Sequence, residues 1–328
     1  MGFALGGLAF MRGGNYPPHL EPSMTPESPA PPDPAALARA RRRGIILVVI
    51  ATFTFALSAA CAKAIGNAIP VAEVILFRNL FAIPALLPVV LAAGGWAALR
   101  TRNPMSHAAR TVFGMMGMVG AFYGYVHLPL TTVTALGFTM PLFLTVLSVP
   151  LLGERVGWRR ALAVLVGFLG VLLMVRPGGE GMRGEGLAVT LCLLGSVGWA
   201  LAMITIRRMG EAGESAVAIV FWFAVGSAVL AGIASIPVWV WPNAWQWALL
   251  AGIGLISALA QVLMTDAYRS GETTLLAPFE YAGIVWTTAL GAFIWAELPD
   301  GWDFAGIAVL VGAGLYIWHR EVTLGVRR

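Results

Sequence analysis

The sequence predicts an all-α polytopic membrane protein, with ten transmembrane helices arranged as two inverted five-helix repeats, and three observations carry that prediction. The first is composition: hydrophobic residues make up 59% of the 328 residues and charged residues only 11%, where an ordinary soluble domain is roughly a quarter charged. No soluble fold of this length covers so much apolar surface. The apolar runs suit helices, which need about 20 residues to cross a hydrocarbon core, and are far longer than barrel strands. The second is an internal duplication. Thr131-Thr132 opens an apolar run ending at Glu154, followed by Gly157-Trp158 and Ala163 to Gly167; Thr273-Thr274 opens another ending at Glu297, followed by Gly301-Trp302 and the identical pentapeptide Ala308 to Gly312. The third is parity. If each copy holds five spans, the second copy sits upside down relative to the first.

The elements follow in order. Residues 1–43 read as a disordered, Pro-rich cytoplasmic tail (Pro17, Pro18, Pro22, Pro26, Pro29, Pro31, Pro32, Pro34) without apolar periodicity. Gly2 to Phe10 is apolar but lacks the basic flank of a signal peptide, and Met24 is an alternative start. Apolar runs then occupy 44–64, 72–95, 108–127, 131–152 and 158–176, and again 186–206, 216–238, 245–267, 273–295 and 303–319. The uncharged stretch from Thr111 to Gly153 is too long for one span and is divided at Leu128-Pro129-Leu130; the stretch from Ser215 to Thr265 breaks at Pro237 and Pro242-Asn243. The expected domains are therefore 44–177 and 178–320, with residues 321–328 as a cytoplasmic C-terminal tail.

Orientation comes from the arginines. With the N-terminus inside, Arg39, Arg41, Arg42, Arg43, Arg100, Arg102, Arg155, Arg159, Arg160, Arg207, Arg208, Arg269, Arg320, Arg327 and Arg328 fall on the cytoplasmic side, leaving Arg176, Arg183 and Lys63 outside. Both termini are thus expected in the cytoplasm, and Trp239, Trp241, Trp245 and Trp247 as an aromatic belt at the outer interface. The net charge of +5 is scattered in pairs between apolar runs and forms no nucleic-acid-binding stripe. Cys61 and Cys192 lie inside apolar runs and read as packing residues.

On this frame, Phe77-Arg78-Asn79 early in the second span, Leu-Pro-Leu-Thr-Thr before the fourth, Pro141 within it and Leu152 to Arg155 before the fifth resemble the drug/metabolite transporter superfamily, EamA type. The second half adds Tyr268, Thr273, Thr274, Ala277 to Tyr281 and Glu297. The resemblance covers about residues 44 to 320. It departs from internal symmetry at Phe221-Trp222-Phe223, opposite Phe77-Arg78-Asn79, and at Ala296-Glu297-Leu298, opposite Gly153-Glu154-Arg155. The resemblance implies a secondary carrier and leaves its substrate open.

An ionisable group at membrane depth costs on the order of 2.5–3.5 kcal/mol unless paired or hydrated, which makes each one a functional candidate. Glu280, beside Pro278 in the ninth run, is the clearest, as a path-lining and proton-coupling group; Asp266 is a second coupling candidate, or the partner of an interfacial base such as Arg269. Arg78 is expected to pair, with Glu73 as its nearer candidate partner, or to snorkel, in preference to binding a substrate carboxylate, and Lys63, the one lysine, to snorkel to the outer interface. The resembled family places spans one, three, four, six, eight and nine around its path. Gln261, Trp199, Tyr123, Tyr281, Trp286 and Thr139 lie on those spans and are the remaining path-lining candidates. Gly120 and Gly124 form a small-xxx-small pair suited to close helix packing.

Lys63 is followed by Ala64, so the phosphate-binding loop of an ATPase is missing; no catalytic constellation, metal site or cofactor site is visible. The expected partners are a small-molecule substrate and the lipid bilayer, with no nucleic acid, and the chain is expected as a monomer or a homodimer. The expected function is an inner-membrane secondary transporter exporting amino acids or related small metabolites by alternating access. The alternative is an importer of a vitamin or cofactor-like metabolite on the same fold.

Overall fold

Among the residues that the computed structural model describes, 34–153, 156–176, 185–270 and 276–323, the chain is helical and forms no strand. The helices are α1 (Pro34–Ile65), α2 (Val71–Ala92), α3 (Pro104–His127), α4 (Leu130–Gly137), α5 (Met140–Leu152), α6 (Trp158–Val175), α7 (Gly186–Glu211), α8 (Ala216–Ser235), α9 (Ala244–Ser270), α10 (Ala282–Trp295) and α11 (Gly301–Thr323). Helix α1 begins at Pro34, within the stretch assigned to the tail, and proline suits a first helical position because its missing N–H has no partner there anyway. Residues 1–33, and with them most of the expected tail, lie outside the described residues, as do Glu154, Arg155, Thr273 and Thr274. The chain divides at Ala38: residues 39–328 make one compact unit, and the first 38, described from Pro34 on, make the other.

Eight segments among the described residues are long and apolar enough to cross a membrane. α3 and α10 are not among them. α10 has only 14 residues because a 3-10 turn, Ala277–Tyr281, precedes it. α3 is long enough, but Arg110, His107, His127 and its glycines dilute its apolar character.

Between helices in lipid there is no hydrophobic drive to associate, so close approach rests on small residues and interhelical hydrogen bonds. The pairs that result are α3 with α7, α6 with α11, α2 with α8 and α9, α5 with α7, and α4 with α10. α1 meets α9 through the Ser58 and Ser257 hydroxyls, 2.8 Å apart, and Ser58 also lies 3.2 Å from the Ile253 carbonyl. Along the α3–α7 seam a Cβ on Gly120 would lie 2.3 Å from the Leu191 carbonyl oxygen, and one on Gly124 would lie 2.4 Å from Cys192 Sγ. Cys192 is buried there beside the Gly120 carbonyl, 3.4 Å from it. Gly120→Val should therefore destabilise the chain by about 3 kcal/mol, because a backbone atom cannot yield as a flexible side chain can. Gly210→Ala, where a Cβ meets nothing within 4 Å, should leave thermal unfolding in detergent unchanged.

The polar contacts fall into two groups. In one, Lys63 at the end of α1 binds Glu297 Oε1 at 2.8 Å and the Leu128 carbonyl at 2.8 Å, Glu73 in the first turn of α2 accepts the Val240 N–H at 2.7 Å, and Arg176 binds Asp300 at 2.7 Å. In the other, Arg43 binds Asp266 at 2.7 Å, Trp222 Nε1 donates to the Leu99 carbonyl, Arg208 donates to the Leu151 carbonyl, and Glu214 gathers Thr101, the Arg102 N–H and His107. Each contact joins segments that alternate crossings would place at the same membrane face.

Two expectations change here. Lys63 does not snorkel: its side chain is 9% exposed, ion-paired with Glu297, and lies 5.6 Å from the Trp295 ring centroid. Glu73 does not pair with Arg78. It is fully buried and turned toward the loop after α8, while Arg78 Nη1 lies 3.5 Å from Met118 Sδ. Both differences have one cause, the packing of a distant segment over the helix end, which no local pattern announces.

Burial works against ionisation of Glu214, in the turn between α7 and α8, yet hydrogen bonds from Arg102, Thr101 and His107 hold its carboxyl below the usual carboxylate range. A depressed folded-state pKa contributes stability that is present above the ordinary carboxylate pKa and lost as pH falls through the lower value. Melting in detergent between pH 6 and 3 should accordingly show an acid-side loss in the parent that Glu214→Gln, lower throughout, lacks.

Candidate functional site

The fourth and ninth apolar runs do not form continuous helices. α4 ends at Gly137, Phe138 and Thr139 cross a turn, and α5 resumes at Met140. Pro141 accounts for the break, since it has no N–H for the carbonyl four residues earlier, that of Gly137. The turn is tied down by the Leu136 carbonyl, which accepts the Thr139 N–H at 3.1 Å, the Thr139 hydroxyl at 2.6 Å and the Ser196 hydroxyl at 3.0 Å. In the ninth run Pro278 sits in the first turn of the 3-10 segment, with Glu280 and Tyr281 at its junction with α10. The offset that carries Thr131 onto Thr273 also carries Phe138 onto Glu280. The two breaks thus occupy matching positions in the duplicated sequence, the feature that marks binding sites in repeat-built transporters.

Three adjoining chambers open around these breaks, of about 230, 230 and 200 Å³, and Phe138 and Glu280 line all three. The first lies among α3, the α4–α5 turn and α7, with Tyr125, Ser196 and Trp199 on its walls. The second extends toward α1 and α10, past Thr52, Thr134 and Thr287. The third runs toward α6 and α11 and adds Tyr281, Arg160 and Trp318. Among the described residues of the three walls, Glu280 is the only carboxylate and Arg160 the only basic side chain. The Tyr281 ring packs on Phe138 with centroids 4.5 Å apart, and its hydroxyl occupies space left by Gly314, where a Cβ would lie within 2.0 Å of it.

Of the path-lining candidates, Glu280, Trp199 and Tyr281 lie on the cavity wall. The other four lie elsewhere. Tyr123 stacks on His127 with ring centroids 4.1 Å apart; Trp286 packs edge-on against Phe53 at 5.3 Å; Thr139 is fully buried under the break; Gln261 is exposed on α9. Asp266 pairs with Arg43 outside the chambers. Sequence reasoning missed Tyr125, Phe138 and Arg160. Tyr125 is two positions from Tyr123, roughly 200° around the helix, so choosing between them needs the helix phase. The signal available for Phe138 was the matching offset to Glu280. Arg160 looked like one more cytoplasmic arginine beside Arg159.

A family model described as the EamA-like transporter family matches residues 42–176 and, a second time, residues 186–318. A protein named S-adenosylmethionine uptake transporter from Rickettsia bellii is 30% identical over 261 residues, 79% of this chain and 88% of that one. A protein named pseudopaline exporter from Pseudomonas aeruginosa is 31% identical over 77% of this chain and 88% of its own. A riboflavin transporter from Rhizobium johnstonii is 26% identical over 75% of this chain and 79% of its own. A solved crystal structure, 21% identical and covering 89% of this chain and 98% of its own, superposes with a TM-score of 0.59 and shares the fold.

Proposed function

The chain belongs to the EamA-like transporter family, within the drug/metabolite transporter superfamily, and is a multi-pass membrane transporter rather than an enzyme; we propose that it exports amino acids or related small metabolites across the inner membrane by alternating access. The observation that carries this reading is the cavity at the matching breaks, whose described walls hold one carboxylate, Glu280, and one guanidinium, Arg160, among aromatic rings. A pair of opposite charges in such a site suits the ammonium and carboxylate ends of an amino acid, with its side chain against Phe138, Trp199 and Tyr125. We assign any coupled proton to Glu280, because Asp266 lies off the cavity.

Ten spans in two inverted halves, 44–177 and 178–320, with both termini cytoplasmic, are part of the same proposal. The helix pairing supports it. Exchanging each span with the one five places later returns the observed set: α2 with α8, α4 with α10 and α6 with α11 map onto themselves, and α3 with α7 maps onto α9 with α1. The two groups of polar contacts support it as well, since ten crossings put every member of a group on one face. α8 is tied to α2 through Glu73 and the Val240 N–H at one end, and at the other to the segment just after α2 through Trp222 Nε1 and the Leu99 carbonyl, so rocking of the halves about the central site pivots on that pair.

Expression in a host stripped of its own amino-acid exporters, under challenge by toxic amino-acid analogues, tests the reading. Protection with lowered intracellular analogue is expected. The relative named for S-adenosylmethionine uptake favours a second reading, import of a cofactor-like metabolite. Sensitisation in the same assay, or labelled-metabolite uptake into intact cells without protection, would replace export with import.

A further inference from the structure

Outside the central cavity, a groove of about 460 Å³ runs between α6 and α11, the two helices that carry the duplicated pentapeptide. We propose that this groove holds an acyl chain of an anionic phospholipid, with the lipid phosphate bound by Arg159 and Arg320. The groove is mostly apolar, lined by Ala163, Ala308 and Gly312 among others, with Trp158, Arg159 and Tyr316 also in its wall. Trp158 is 71% and Tyr316 45% exposed, as expected of amphipathic rings at a membrane surface.

From Tyr316 to Ala308 the helix advances about 12 Å, close to the depth of one leaflet of a hydrocarbon core about 30 Å thick. The groove thus reaches from a surface to near the midplane. Arg320 follows Tyr316 by one turn on the same helical face. Its Nη2 would lie 3.7 Å from a Cβ on Gly157, at the start of α6. Arg159 lies over the Trp158 ring at 5.4 Å. Arg159 beside Trp158, Arg320 beside Gly157 and the positive end of α6 thus lie within a few residues of one another at the start of α6, where a phosphate would sit above the chain. A second copy of the chain fits this charge less well, because a two-fold contact on the same patch sets like charges together.

The test is retention of phosphatidylglycerol against phosphatidylcholine by the purified full chain in neutral detergent, measured by native mass spectrometry. The parent should prefer phosphatidylglycerol, and Arg159→Ala and Arg320→Ala should each lower that preference about five-fold. A Cβ on Gly312 meets nothing within 4 Å, so Gly312→Leu should fill the groove without disturbing the fold. It should lose the bound lipid while melting unchanged in lipid-free detergent. Equal retention of the two lipids by the parent, or retention unaffected by all three substitutions, would overturn the proposal. So would a parent dimer that Gly312→Leu dissociates with lipid retention intact, which would give the face to a second copy.

Discussion

Glu280→Gln is expected to lower transport by roughly ten- to a hundred-fold and to flatten its pH dependence. The amide keeps the size and most of the hydrogen-bonding capacity of the carboxylate but loses its charge, and a hydrogen bond to a charged group contributes about 1.5–3 kcal/mol. Glu280 lines all three chambers at the junction of the 3-10 turn and α10. Among the described residues of the cavity wall, no other carboxylate can take over its attraction for a cation or its proton. Glu280→Asp should retain part of the activity, and Trp286→Phe, off the cavity, should change flux by less than about two-fold. Everted vesicles provide the measurement. Undiminished flux with an unchanged pH profile in Glu280→Gln would remove the residue from the mechanism.

Lys63→Met should destabilise the chain by about 2–3 kcal/mol, because Lys63 joins three distant segments at once: the end of α1, the Leu128 carbonyl between α3 and α4, and Glu297 between α10 and α11. Removing one member of a buried pair typically costs about 3–5 kcal/mol; Glu297 is 29% exposed, and solvent screening lowers the figure. The geometry that presents Glu297 is itself specific. Ala296 takes a left-handed φ of 56°, which lets the Glu297 N–H close on the Gly291 carbonyl at 3.0 Å and turns the chain back toward Lys63. Thermal unfolding of Lys63→Met, Glu297→Gln and the double variant measures the coupling. A double variant no worse than either single one is expected, and additive losses would show that the two side chains act separately.

The duplication illustrates how far local sequence reaches. Ala296-Glu297 and Gly153-Glu154 looked like a departure between the copies, yet Gly153, at φ 69°, ends α5 in the same left-handed conformation in which Ala296 ends α10. Helix termination was conserved in geometry while the residue changed. The breaks were only half legible: Pro141 and Pro278 remove backbone donors, a local property, yet both runs read as unbroken spans in the sequence. Gly120 and Gly124 were legible as packing residues, since only a residue without Cβ permits the contact seen at Leu191 and Cys192.

Rotational phase was not legible. Tyr125 faces the cavity while Tyr123 stacks on His127, and Arg160 lines the third chamber while its neighbour Arg159 lies over Trp158. A helix that is apolar all round has no amphipathic stripe to declare which side faces protein, so the path residues could be assigned to helices but not to faces. The sequence by itself determined the apolar runs, the duplication, the loops that separate the runs and the family, all of which depend on composition and on neighbours along the chain. Only the tertiary structure decided that Lys63 meets Glu297, that Glu73 meets Val240 and that Glu280 shares a cavity wall with Arg160. Those pairings join residues far apart in the chain, and they follow from how the helices pack against one another.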